Sequence, residues 1–202
     1  MNKSACQMNI NASQSSYHTN VVSKKLFDNH LKLYWGYVEK TNEISDKLTQ
    51  ATTKSLSDAN ATYSEYRSLK RGESFALDGV ILHEQYFQDM GTGGESPGQR
   101  TMELINSCFG SFENWQNAFI ASAKCARGWC IMAFEQRTQS LRNIVLDTHD
   151  DGLVCGAFPL LVLDVYEHAY TTDYGIDKAS YIQKFMASIN WDMVERRAQR
   201  LK

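Results

Sequence analysis

Pro159-Leu160-Leu161-Val162-Leu163-Asp164-Val165-Tyr166-Glu167-His168-Ala169-Tyr170 is the stretch on which the fold turns, because a short apolar run ends on a carboxylate and an imidazole follows four residues later. Residues 158–163 are apolar and rich in strand formers, which predicts a short buried strand. From Glu167 to Leu201 the pattern is helical, interrupted around Tyr174-Gly175-Ile176. If helical geometry begins at Asp164, the Asp164 and His168 side chains share one face, a common way to hold a single metal ion. An Asp and a His at this spacing are also often a surface or capping pair, so the surroundings must decide.

Working back from that stretch, Gly128 to Phe134 and Leu141 to Leu146 are two more short apolar segments with a polar turn between them, which predicts an antiparallel hairpin. Gln99 to Phe109 and Ser111 to Ala126 read as helices, with Ser111 and Asn114 giving a partial N-terminal capping signal. The clearest punctuation is Gly91-Thr92-Gly93-Gly94-Glu95-Ser96-Pro97-Gly98, where the boundary between two halves is placed. Ahead of it, Leu26, Phe27, Leu31, Tyr34, Tyr37, Val38 and Ile44 recur at helical spacing between Ser23 and Leu48. A second helical pattern runs from Ala61 to Met90, with a break or kink expected at Arg71-Gly72 and a polar bend or loop over 49–60 before it. The two helices are long enough to pair as an antiparallel hairpin. Helices, then strands, then helices argue for an α+β fold and against a doubly wound sheet. The expected organisation is a loose extension over 1–22, a helical hairpin domain over 23–94 and an α/β domain over 95–202.

Composition narrows the function classes. The net charge of -2 offers no general attraction to nucleic acid or anionic membrane, so neither is expected as a partner. The one basic cluster, Arg196-Arg197-Ala198-Gln199-Arg200, reads as the last turn of a helix, where cations suit the macrodipole. Cys6, Cys108, Cys125, Cys130 and Cys155 are odd in number and form no C-x-x-C pair, which favours a reducing compartment. The first 20 residues, rich in Ser, Asn and Gln, lack the apolar core of a secretory signal, and no run approaches the ~20 apolar residues of a membrane span. A soluble cytoplasmic protein is expected.

Of the five histidines, His18, His30, His83, His149 and His168, two lie on the expected hairpin. His30 falls in the middle of its first helix and His83 toward the end of its second, so they could face one another across it. With these in hand, residues 159–170 resemble the D-V-W-E-H-A-Y signature of iron/manganese superoxide dismutases. The resemblance continues through Asp173-Tyr174, Tyr181-Ile182 and Asn190-Trp191, and back through Gly128-Trp129, Leu82-His83-Glu84-Gln85-Tyr86-Phe87 and His30 with Tyr37-Val38. It implies a helical hairpin followed by an α/β domain with a three-stranded antiparallel sheet. Between them it implies one iron or manganese ion held by His30, His83, Asp164 and His168. The implied activity is conversion of superoxide to dioxygen and hydrogen peroxide by cycling that ion between two oxidation states. Glu167 would bond the other subunit's ligand histidine, which implies a homodimer.

The chain also departs from the family pattern. In place of H-x-x-x-H-H-x-x-Y-V it reads His30-Leu31-Lys32-Leu33-Tyr34-Trp35-Gly36-Tyr37-Val38, so two histidines are absent and the tyrosine comes one residue early. Tyr37 is the choice for the gateway tyrosine, with Tyr34 its competitor. Thr171 stands where the family places a tyrosine that bonds one of the absent histidines across the dimer, so both partners have gone together. Phe87, Ile131 and Tyr166 replace three family tryptophans near the metal, while Trp129 is kept. The usual active-site glutamine is missing both from position 79, a glycine, and from the segment 147–151, where His149 could substitute. Iron or manganese stays open, as do two other readings of the fold: a metal oxidoreductase with another oxidant, and a non-catalytic structural member.

Overall fold

The computed structural model describes residues 7–13 and 15–201. Its first element, α1 (Lys24–Thr49), starts where Ser23 Oγ accepts a hydrogen bond from the Leu26 amide, satisfying one of the free donors of the first turn. The short α2 (Thr53–Ser57), capped by Thr52, occupies the polar connection. Ser64 caps α3 (Glu65–Asp89) in the same way. Leu26, Phe27, His30, Tyr34, Val38, Thr41 and Ile44 on α1 are buried, as are Ala76, Val80, Leu82, His83, Tyr86 and Phe87 on α3. These are the stripes of two amphipathic helices pressed together.

The break expected at Arg71-Gly72 does not occur, and α3 runs through it as regular helix. A Cβ at Gly72 would lie 3.1 Å from Ile44 Cδ1, so the glycine serves the close approach of the two helices. The expected extension over 1–22 falls partly on residues 1–6 and 14, outside the described residues. Residues 7–13 lie against α1, with Met8 N bonded to Ser45 Oγ at 2.6 Å and Ile10 N to Asn42 Oδ1 at 2.7 Å. Val21 and Val22 are core residues.

Beyond the hairpin come α4 (Gln99–Phe109) and α5 (Phe112–Cys125), then β1 (Trp129–Glu135), β2 (Ser140–Leu146) and β3 (Ala157–Asp164). The three strands form one antiparallel sheet in the order β2-β1-β3. Every residue of the central strand β1 is buried, in keeping with its continuous apolar sequence. Trp129 pairs with both Leu146 and Asp164, so one end of the sheet brings an indole beside a carboxylate. The helical tail is more broken than its pattern predicts: a 3-10 turn (Glu167–Ala169), then α6 (Thr171–Tyr174), α7 (Lys178–Met186) and α8 (Trp191–Ala198). No helix among the described residues is long and apolar enough to cross a membrane.

The end of α3 is fastened to the tail. Met90 bridges Ile189, Gly91 N bonds Ser188 O at 2.7 Å, and Asn190 N bonds Asp89 O at 2.9 Å. Arg197 lies in the basic last turn of a helix, as expected, but points inward and pairs with the fully buried Asp89. It also donates to Leu160 O at 2.8 Å, while Asp89 accepts from Val162 N at 2.7 Å. Arg196, its exposed neighbour, keeps the expected role. Replacing Arg197 by Met leaves a buried carboxylate without its cation and is expected to cost about 3–5 kcal/mol in guanidinium unfolding. Arg196→Met on the outer face is expected to stay within about 0.5 kcal/mol.

Candidate metal centre

The sheet end and the helical hairpin meet at four side chains. His30 comes from the second turn of α1, His83 from α3, Asp164 from the last position of β3 and His168 from the 3-10 turn. One ligand atom from each lies within 4.8 Å of the other three. The Nε2 atoms of His30, His168 and His83 stand 3.2, 3.4 and 3.9 Å from Asp164 Oδ2. His30, His83 and Asp164 are buried, and the His168 side chain is one-third exposed.

Asp164 and His168 do not share a helix face. Asp164 closes a strand, and the chain passes through Val165 and Tyr166 before turning at His168. The Tyr166 amide donates to Asp164 Oδ1 at 2.9 Å, which leaves Oδ2 for the cluster. On α3, His83 Nδ1 lies 2.5 Å from Gly79 O. A carbonyl can only accept, so the ring proton sits on Nδ1 and the Nε2 lone pair faces Asp164.

His30 Nε2, His83 Nε2, Asp164 Oδ2 and His168 Nε2 are all buried without a hydrogen-bond partner. Each such atom costs on the order of 1–3 kcal/mol, and four at one point have no account within the protein. A cation resolves all four at once. Three imidazole nitrogens and a carboxylate suit iron or manganese, so the residues fit the ion that the sequence implies. Their protonation agrees. Burial lowers the pKa of His30, and it lowers that of His83 to about 3, so both rings are neutral donors. Burial pushes Asp164 upward, but the rings of His168 and His30 hold its carboxyl below the usual range, and it stays anionic.

Tyr37 lies beside the cluster, its ring 5.3 Å from that of His83 and 4.7 Å from that of His149. A spacing of seven residues rotates a helix by about 700°, within ~20° of whole turns, so Tyr37 shares the face of His30 although it comes early. The competing Tyr34 is fully buried, and its hydroxyl bonds Ser13 N and Glu84 Oε1. His149, on the segment after β2, accepts a hydrogen bond at Nδ1 from Trp129 Nε1 at 2.9 Å. Its proton is therefore on Nε2, and burial lowers its pKa to about 4, so it is a neutral donor. Gly79 leaves room for both groups: a Cβ there would lie 3.0 Å from the Tyr37 ring and 3.3 Å from His149 Cδ2. Glu167 is exposed, next to the partly exposed His168.

Two contributors, Phe75 and Ser74, had no signal in the sequence, and Tyr166, where the family has a tryptophan, takes a defined place. Phe75 packs on His149 at 4.5 Å between ring centres. The Tyr166 ring stacks on His168 at 5.3 Å, and its hydroxyl donates to Asp147 O at 3.2 Å. Ser74 bonds Asp150, holding the His149 segment to α3. The contacts of Phe75 and Ser74 are tertiary ones between distant positions. Outside Tyr37 lies a groove of about 630 Å³, floored by Leu33, Gly36 and Phe75 and rimmed by Lys32 and Lys40.

Loading metal-free protein with Mn²⁺ or Fe²⁺ is expected to raise its Tm, corresponding to about 4 kcal/mol at 1,000 times Kd. His83→Ala, which removes one donor, is expected to abolish most of that rise in calorimetry.

The comparisons with known proteins agree with this geometry. The sequence model for Iron/manganese superoxide dismutases, C-terminal domain, matches residues 97–197. The chain is 37% identical over 181 residues to a superoxide dismutase [Fe] of Aquifex aeolicus, covering 89% of this chain and 85% of that one. It is 35% identical over 158 residues to a superoxide dismutase [Mn] of Halobacterium salinarum, covering 78% and 76%. A superoxide dismutase [Mn/Fe] of Aeropyrum pernix is 37% identical over 140 residues, covering 67% and 65%.

Proposed function

Because this chain belongs to the iron/manganese superoxide dismutase family, we propose that it converts superoxide to dioxygen and hydrogen peroxide with one iron or manganese ion held by His30, His83, Asp164 and His168. The observation that carries this reading is the set of four converging donor atoms, buried and without partners. When bound, the ion supplies one-electron exchange with superoxide through two adjacent oxidation states. The rest falls to the chain. Asp164 brings one negative charge among three imidazole rings, which would offset part of the ion's charge in a water-poor setting.

Peroxide formation also needs protons beside the reacting oxygens. Tyr37 and His149 are assigned to this step, since each presents a neutral X–H group next to His83. Trp129 is a positioning residue: its indole N–H occupies His149 Nδ1 and leaves the donor on Nε2. Phe87, packed on His30, and Tyr166, stacked on His168, limit entry of bulk water. The groove beside Tyr37 is the proposed approach, and its lining carries Lys32, Lys40 and Lys47 against one carboxylate, Glu43, a balance that favours an anion.

The exposed Glu167 and partly exposed His168 support a homodimer, in which Glu167 of a second copy would accept from His168 and orient its ring. The unpaired cysteines among the described residues support a cytoplasmic location.

The test is a superoxide dismutation assay on metal-analysed protein. Activity should scale with bound iron or manganese, and metal-replete protein without activity would overturn the reading. Tyr37→Phe and His149→Ala are each expected to retain metal and lose activity, by about 10²-fold or more for His149 if it supplies the proton. Glu167→Ala is expected to shift sedimentation toward the monomer.

A further inference from the structure

Positions 34 and 84 each sit close in sequence to a helical ligand: Tyr34 is one turn beyond His30, and Glu84 directly follows His83. Tyr34 is fully buried, and its hydroxyl donates to Glu84 Oε1 at 2.7 Å. The hydroxyl also accepts from the Ser13 amide at 2.7 Å. One phenol thereby joins α1, α3 and the N-terminal segment at the level of the metal centre. Its ring stands edge-on to Phe87 at 6.0 Å, and Phe87 stands edge-on to His30 at 5.2 Å.

The segment ending at Ser13 is anchored along α1 in the opposite direction. Gln7 bonds Asp46, Met8 bonds Ser45, Ile10 bonds Asn42 through both backbone groups, and Ser13 reaches Tyr34. The strap therefore runs back toward the ligand turn and ends on the bond that crosses from one ligand helix to the other.

We propose that the Tyr34–Glu84 hydrogen bond, seated by the Ser13 amide, is a positioning device that fixes His30 relative to His83 and so sets the metal affinity. It rests on the metal-binding reading above. Tyr34 and Glu84 touch neither the ion nor the substrate. They act through the two ligands beside them, and loss of such a support typically weakens metal binding by about 10–100-fold.

The test is Mn²⁺ binding by the metal-free full-length chain, measured by chelator competition, together with the EPR spectrum of the bound ion. Tyr34→Phe keeps the ring and removes the bridge. It is expected to weaken Mn²⁺ binding at least about 10-fold and to change the zero-field splitting. Glu84→Gln, which retains an acceptor oxygen, should do less. Ser13→Pro, which removes both the amide and the hydroxyl that the strap offers to Tyr34 and restricts its backbone, should weaken binding in the same direction, and it decides the matter if Tyr34→Phe does not fold. Binding within about twofold of the unmodified chain with an unchanged spectrum, in whichever of these two variants folds, would overturn the proposal and leave the metal site intact. An unmodified chain that fails to bind Mn²⁺ would overturn the metal-binding reading, and this inference with it.

Discussion

Asp164 is a fully buried carboxylate whose Oδ2 faces three imidazole nitrogens, and the fold is arranged around that charge. A lone carboxylate in so dry a place would normally take up a proton. Here the neighbouring rings keep it charged, and its second oxygen is committed to the Tyr166 amide. The strand end, the 3-10 turn and both long helices each deliver one donor to the same point. The two helices could not bring His30 and His83 to Asp164 and His168 without the packing of the hairpin against the sheet.

That packing relies on a few closely specified contacts. Gly72 lets α1 and α3 approach, and Gly79 makes room for Tyr37 and His149. Asp89 and Arg197 lock the end of α3 to β3 and to the last helix. Two buried polar groupings thus serve different ends. Asp89 is matched by protein groups and holds the architecture, whereas Asp164 and its histidines are left for an ion.

Much of this was legible in the residues. The spacing in Asp164–His168, the apolar runs before it and the helical stripes carrying His30 and His83 are local patterns, and local patterns survive in sequence. The α+β class and an antiparallel hairpin followed from them, and the resemblance to the dismutase family implied the four converging donors. Other features were not legible, because they depend on what lies opposite. Gly72 resembles a helix breaker until Ile44 is seen against it. Arg197 resembles a solvated cation until Asp89 is found 108 positions away. Asp164 and His168 converge through a strand end and a turn, and helical spacing was only a guide to their proximity. Tyr37 and Tyr34 could be told apart only by their surroundings, the Tyr34 hydroxyl being held by Ser13 and Glu84 and the Tyr37 ring lying against His83 and His149.

The most direct measurement is X-ray absorption at the iron and manganese edges of the purified, metal-loaded protein. A site built by these residues predicts a single metal environment with three imidazole nitrogens and carboxylate oxygen, and no sulfur. A thiolate signal, or an all-oxygen shell without imidazole scattering, would contradict the assignment of His30, His83, Asp164 and His168.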